Sequence, residues 1–260
     1  MGSVVIKRVL ISLLGFLYTL ACTYSVKKQL NVFNKHRMLE ICFYTISVCF
    51  ACKFHLGDAA SFFCFAYYDN YYVDNGLRML PDLFEMPICA VLSYFWYTLV
   101  WAVEETSLQD KQTVSYAYVI VSFSLVITHA SLELFFLLSV SGEKGIVYYY
   151  LTESIIYFLS AVLIVLQHVA FASKLEKYSA QGNMLKHFIT NSTCLLAITL
   201  MMKSLAYFQF FLEYAFNGGK VFESLEGMEL NLAVQLLLLE LFTDIVPKVL
   251  LMHLIEDMSD

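Results

Sequence analysis

The chain is short of the residues that make water-facing surface and loops. Charged residues fill 15% of its 260 positions, against about 25% in soluble domains. Three prolines and ten glycines are too few for a turn-rich or low-complexity chain. There is no long Lys/Arg run, and 22 acidic residues face 16 basic ones. That pattern excludes a polybasic patch for anionic lipid or nucleic acid. The seven cysteines are an odd number and lie mostly in apolar stretches, which argues against a disulfide framework. The zinc patterns His-Glu-x-x-His and His-x-x-x-His are missing, as is the Gly-x-Ser-x-Gly elbow of serine hydrolases. These absences point away from an enzyme. A hormone-receptor reading would need a cysteine between about Ser139 and Gly145, and none is there.

Apolar residues are what the chain has in excess, at 60% against about 45–50% in soluble domains. Seven apolar stretches can be read, at about 4–24, 38–56, 83–103, 113–138, 146–171, 188–216 and 230–255. Each is near the roughly 20 residues needed to cross the hydrocarbon as a helix, and seven would use roughly 150–170 residues. Backbone groups in lipid must bond within their own segment, and the stretches are too long and uniform for barrel strands. The expected fold is an all-α, seven-transmembrane helix bundle over 1–260, a single domain with no soluble one. Lys7 and Arg8 ahead of an apolar core also suit a signal peptide, but the apolar run continues past that core on both sides.

Basic residues in short loops set the orientation. Lys27, Lys28, Lys35, Arg37, Lys111, Lys174, Lys177 and Lys186 fall on one side, and Lys7, Arg8, Arg78, Lys144 and Lys220 on the other. Eight against five puts the amino terminus outside or in a lumen and the carboxyl terminus in the cytosol. The loop at about 55–82 and the start of the fifth span carry aromatic clusters, including Phe62, Phe63, Tyr71, Tyr148, Tyr149 and Tyr150. These read as an interfacial belt or as a lumenal lid over a ligand.

Ionisable residues inside spans are costly and mark candidate sites. They are Lys53, Glu85, His129, Glu133, His168, Lys203, Glu213, Glu240, Asp244 and Lys248. Glu240 and Asp244 share a helix face at i, i+4 spacing. A pairing of Lys203 with Asp244 or Glu240 is the simplest way to keep all three in the bundle, as a register-fixing link or as a switch or proton relay. Lys53 and Glu85 form a second possible pair, unless both reach to the interface. Lys248, four residues after Asp244, has the spacing of a retinal Schiff-base lysine and its counter-ion in microbial rhodopsins. That would make the chain a retinal protein or an ion or proton channel. Against it, both tryptophans lie in the third span, Pro247 is foreign to the pattern, and Lys248 can snorkel to cytosolic water. Pro247 removes a ladder donor and frees the carbonyl near Thr243, so it predicts a kink, fixed or hinged. The sequon Asn191-Ser192-Thr193 sits at the cytosolic start of the sixth span and reads as polar helix surface.

Several short segments, in order along the chain, resemble one family. Gln29-Leu30 precedes a basic turn, Phe43 and Lys53. Leu80-Pro81 leads to Phe95-Trp96. Met184-Leu185-Lys186 leads through Thr190-Asn191-Ser192-Thr193-Cys194 to Lys203. Leu230-Asn231-Leu232 leads to Asp244-Ile245-Val246-Pro247. The chain resembles the plant tobamovirus-multiplication membrane proteins and, more distantly, the related lysosomal orphan-receptor-like proteins of animals. It departs from them at Tyr97-Thr98, where the family often has an acid, and in its acidic tail, Glu256-Asp257-Met258-Ser259-Asp260. The resemblance implies a non-enzymatic multi-pass protein of a vacuolar, lysosomal or other endomembrane. It implies no cofactor and no nucleic-acid partner. Arf-like or Rag-type small GTPases would be recruited or regulated on the cytosolic loops at 27–37, 104–111 and 174–186.

Overall fold

The computed structural model describes residues 2–32, 46, 83, 86–98, 100, 113–139, 143–175, 180–217, 234 and 237–259. The described chain is helical throughout. Helix α1 is Gly2–Val32, α2 covers 86–98, α3 is Thr113–Ser139, α4 is Glu143–Leu175 and α5 is Ala180–Asn217. Residues 237–240 are helical and run through a π-helical turn, Leu241–Ile245, into α6, Val246–Ser259. The second apolar stretch, at 38–56, lies outside the described residues apart from Ile46.

Three helical stretches among the described residues are long and apolar enough to cross a membrane: Ala117–Phe136, Val147–Ser173 and Lys186–Leu212. This is compatible with a membrane protein. The distribution of side chains fits the same solvent. Ile127, Val169, Ile198, Leu205 and Phe216 face outward and are more than half exposed, while Gln167, Glu153, Asp244, Lys203 and His129 are buried. A water-soluble bundle has the reverse arrangement, whereas in lipid the interior is the only place where a polar group finds partners. At 1.5 Å per residue the 38 residues of α5 span about 57 Å, well beyond the roughly 30 Å hydrocarbon layer.

In packing order, α3 lies against α4, α4 against α5, α5 against α6 and the π turn, and these against α1. The core is built from α2 and the helices around it, with Trp96, Tyr18, Tyr157, Phe171, Ile88 and Leu92 fully buried. Phe95 meets Phe188 edge to face, with ring centroids 6.0 Å apart, which ties α2 to α5.

Small polar residues bring the helices close. Ser154 on α4 and Ser204 on α5 exchange hydrogen bonds, each Oγ donating to the other's carbonyl at 2.9 and 2.8 Å. Such reciprocity needs backbones in near contact, and serine permits it where a larger side chain would not. Gln167 on α4 joins three helices. Its Oε1 accepts from Ser93 Oγ of α2 at 2.7 Å, and its Nε2 donates to Ser122 Oγ of α3 at 2.8 Å.

The π turn sits where Pro247 removes a donor. Val246 N–H donates to the carbonyl of Leu241, five residues back instead of four. The widened turn gives the pyrrolidine ring room against the carbonyl it would otherwise strike, that of Thr243. The local response to the proline is thus a change of hydrogen-bond register, which leaves Thr243, Asp244 and Ile245 buried.

Candidate functional site

Among the described residues, two buried clusters of ionisable side chains stand out between the helices. The first forms around Asp244, which is wholly buried in the π turn. Lys203 of α5 places Nζ 3.7 Å from Asp244 Oδ1. Lys248, one turn further along, bonds the same oxygen. Tyr18 of α1 supplies a hydroxyl 2.9 Å from Asp244 Oδ2 and 2.6 Å from Glu240 Oε2. A phenol has one hydrogen, so these two carboxylates share it. Tyr18 thus links Glu240 to the cluster in which Lys203 meets Asp244. Two ammonium and two carboxylate groups balance formally within the four charged residues.

The second cluster forms between α3 and α4. His129 and Glu133 share a face of α3 at i, i+4 spacing, and Glu153 faces them from α4. Their exposures are 1%, 1% and 0%. His129 Nε2 lies 3.0 Å from Glu153 Oε2 and 3.6 Å from Glu133 Oε1. Tyr149 donates to Glu133 Oε1 at 3.2 Å. One imidazole nitrogen and one oxygen from each carboxylate lie within 4.8 Å of one another, a donor set able to hold a metal ion.

Tyr157 stands between the clusters. Its ring meets the His129 ring edge to face at 6.3 Å, and Lys203 Nζ lies 5.6 Å from its centroid. Tyr207 stacks on it at 5.4 Å with the planes 10° apart. A Lys ammonium within about 6 Å of an aromatic face is attracted by the ring quadrupole. Lys203 is therefore held from two sides, by Asp244 and by this ring.

The remaining expected positions fall as follows. Pro247 directly follows the π turn. Lys53 and Glu85 lie outside the described residues, as does the side chain of Glu213 on α5. His168 is half-buried on α4, fifteen residues and so about 22 Å of helix from Glu153. Two expectations are corrected. Lys248 does not snorkel to water; it is 5% exposed and bonded to Asp244, because the acid four residues earlier on its own helix is nearer than solvent. The sequon is polar surface only at Asn191, which is exposed. Ser192 and Thr193 are buried, with Ser192 Oγ donating back to the Phe188 carbonyl at 2.7 Å, the usual way a hydroxyl is satisfied in an apolar helix.

Two participants, Tyr18 and Tyr157, are invisible to a search for charge inside spans, because they read as ordinary aromatic core. Glu153 is not: it lies within the expected span at 146–171 and belongs with the candidates above, from which it is missing. The available signal was spacing: Tyr149, Glu153 and Tyr157 recur every four residues on one face of α4.

No family model, curated protein or solved structure matches this chain.

Proposed function

We propose that this chain is a seven-span, non-enzymatic endomembrane protein of the tobamovirus-multiplication type, acting as a platform or regulator for small GTPases of the Arf-like or Rag kind. Its amino terminus is lumenal and its carboxyl terminus cytosolic. The observation that carries the reading is the meeting of Lys203 and Asp244, 3.7 Å apart in the core. These are the two charged elements of the resemblance in the sixth and seventh spans. A lysine and an acid 41 positions apart in sequence have no local reason to meet, so a shared bundle architecture accounts for both motifs at once. The π turn beside Pro247 gives the same segment a structural role, since it holds Asp244 inward where Lys203 can reach it.

The test is affinity purification of the full chain in mild detergent with a non-hydrolysable GTP analogue or with GDP. Recovery of a small GTPase that depends on the nucleotide supports the platform. Recovery that ignores the nucleotide, or no GTPase at all, counts against it.

A second reading, an ion or proton pathway through Asp244 and Lys248, is favoured by the burial of both side chains in one continuous polar cluster. Proton flux into dye-loaded liposomes that is lost in Asp244→Asn would favour it over the platform. Beside Lys248, a cavity lined also by Pro247, Cys89 and Leu196 has about 20 Å³ of water-accessible space, room for about one water molecule.

A further inference from the structure

We propose that His129, Glu133 and Glu153 form a binding site for a divalent first-row transition metal, held between α3 and α4. The site is separate from the Asp244 cluster and independent of the GTPase reading.

The geometry favours a metal over a simple hydrogen bond. His129 Nε2 stands 3.0 Å from Glu153 Oε2 and 3.6 Å from Glu133 Oε1. A single N–H can serve the first oxygen, but 3.6 Å is too long for a hydrogen bond to the second. Both carboxylates nonetheless converge on the same nitrogen. Tetrahedral ligands at about 2.0–2.2 Å from an ion stand about 3.3–3.6 Å from one another. The two separations from His129 Nε2 lie at or just short of that range, and the carboxylate oxygens lie within 4.8 Å of each other, so the three donors surround one position that an ion could draw together. A cation in place of the hydrogen would touch all three donors at once.

The surroundings are those of a built site. All three side chains are at least 99% buried, so each is held by packing. Tyr149 Oη, 3.2 Å from Glu133 Oε1, occupies the outer position from which metal-bound carboxylates are commonly oriented. The ring of Tyr157 against His129 limits imidazole rotation. Two ligands come from α3 and one from α4, so a bound ion clamps the two helices. Three protein ligands leave a fourth position for water or for a second carboxylate oxygen.

The donors select the ion class. One imidazole and two carboxylates suit zinc, manganese or ferrous iron; a soft ion such as Cu(I) prefers thiolate or thioether. Calcium takes six to eight oxygen ligands, more than these three residues offer.

The test uses the full chain, purified in mild detergent after chelation and without a polyhistidine tag. Cobalt(II) serves as the spectroscopic probe and zinc as its competitor. One cobalt per chain is expected, giving the visible ligand-field bands of a four- or five-coordinate site, and zinc should abolish them. Glu153→Gln should lose the bands and weaken zinc binding on the order of 100-fold or more. Tyr149→Phe, which removes only the outer hydrogen bond, should weaken binding by about 10-fold and keeps the test decisive if Glu153→Gln fails to fold. Absence of cobalt bands in folded wild-type protein would overturn the proposal and leave His129–Glu153 as a hydrogen-bonded pair. So would bands that persist undiminished in Glu153→Gln, or a zinc affinity unchanged in Tyr149→Phe, since the ion would then sit elsewhere, for example on exposed His187.

Discussion

Removing the carboxylate of Asp244 should damage this protein more than removing either lysine that contacts it. Asp244 is the shared anion: Lys203 lies 3.7 Å away, Lys248 bonds the same oxygen, and Tyr18 donates to the other at 2.9 Å. For Lys203 the attraction at that distance is about 4–5 kcal/mol at an effective dielectric near 20. Desolvating the ammonium offsets several kcal/mol of this. Lys203→Met removes the attraction and the desolvation penalty together, and Asp244 keeps Lys248 and Tyr18. The expected net loss is about 1–3 kcal/mol, part of it from the Tyr157 ring contact. Asp244→Asn instead takes the shared anion from two buried ammonium groups at once, at about 3–5 kcal/mol or more. In the double mutant one of those two cations is gone, so the losses should be less than additive by more than 1 kcal/mol. Equilibrium unfolding of purified protein in mixed micelles, by titration with a denaturing detergent, measures all three variants on one scale. The reasoning fails if Asp244→Asn is no worse than Lys203→Met. It fails also if the double mutant adds within about 0.5 kcal/mol, the behaviour of independent sites.

Other consequences can be checked in the same preparation. Tyr18→Phe should cost about 1–2 kcal/mol, since two buried or half-buried carboxylates lose their shared donor; an unchanged midpoint would remove α1 from the polar cluster. Ser204→Ala should cost about 0.6 kcal/mol and at most about 2 kcal/mol, whereas Ser204→Leu should cost clearly more by forcing α4 and α5 apart; equal effects would mean the helices are not in close contact there. Pro247→Ala should restore an ordinary α-helical register through 241–245, visible as slower amide exchange at position 247 and its neighbours than at the π turn of wild type. If that change also alters GTPase recovery at normal expression, the turn is a hinge; unchanged recovery assigns it as a fixed bend. Finally, a protease reaching only the cytosolic face should cleave a tag after Asp260 and spare one before Val4; like behaviour of the two tags would contradict an odd number of spans.

Composition and hydropathy by themselves determined that the described chain is helical and where its long apolar helices lie. Expected spans at 113–138, 146–171 and 188–216 fall within helices α3, α4 and α5, because a lipid-facing segment has no other way to satisfy its backbone. The candidate residues Lys203, Glu240, Asp244 and Lys248 were also legible, since a charge in an apolar run stands out on its own. Their partners were decided only by the tertiary structure. Whether Lys203 meets Asp244 or Glu240 depends on depth and rotation of two helices, and one turn of slip would exchange them. The π turn before Pro247 sets that rotation by inserting a wider turn at Asp244, and no periodicity in 237–259 announces it. Lys248 turned inward for the same reason, having its acid within reach on its own helix. The His129–Glu133–Glu153 group shows the limit most sharply. Two of its members share a helix face and can be paired by counting. The third arrives from the next helix, and side-chain packing between α3 and α4 alone brings its carboxylate to the same nitrogen.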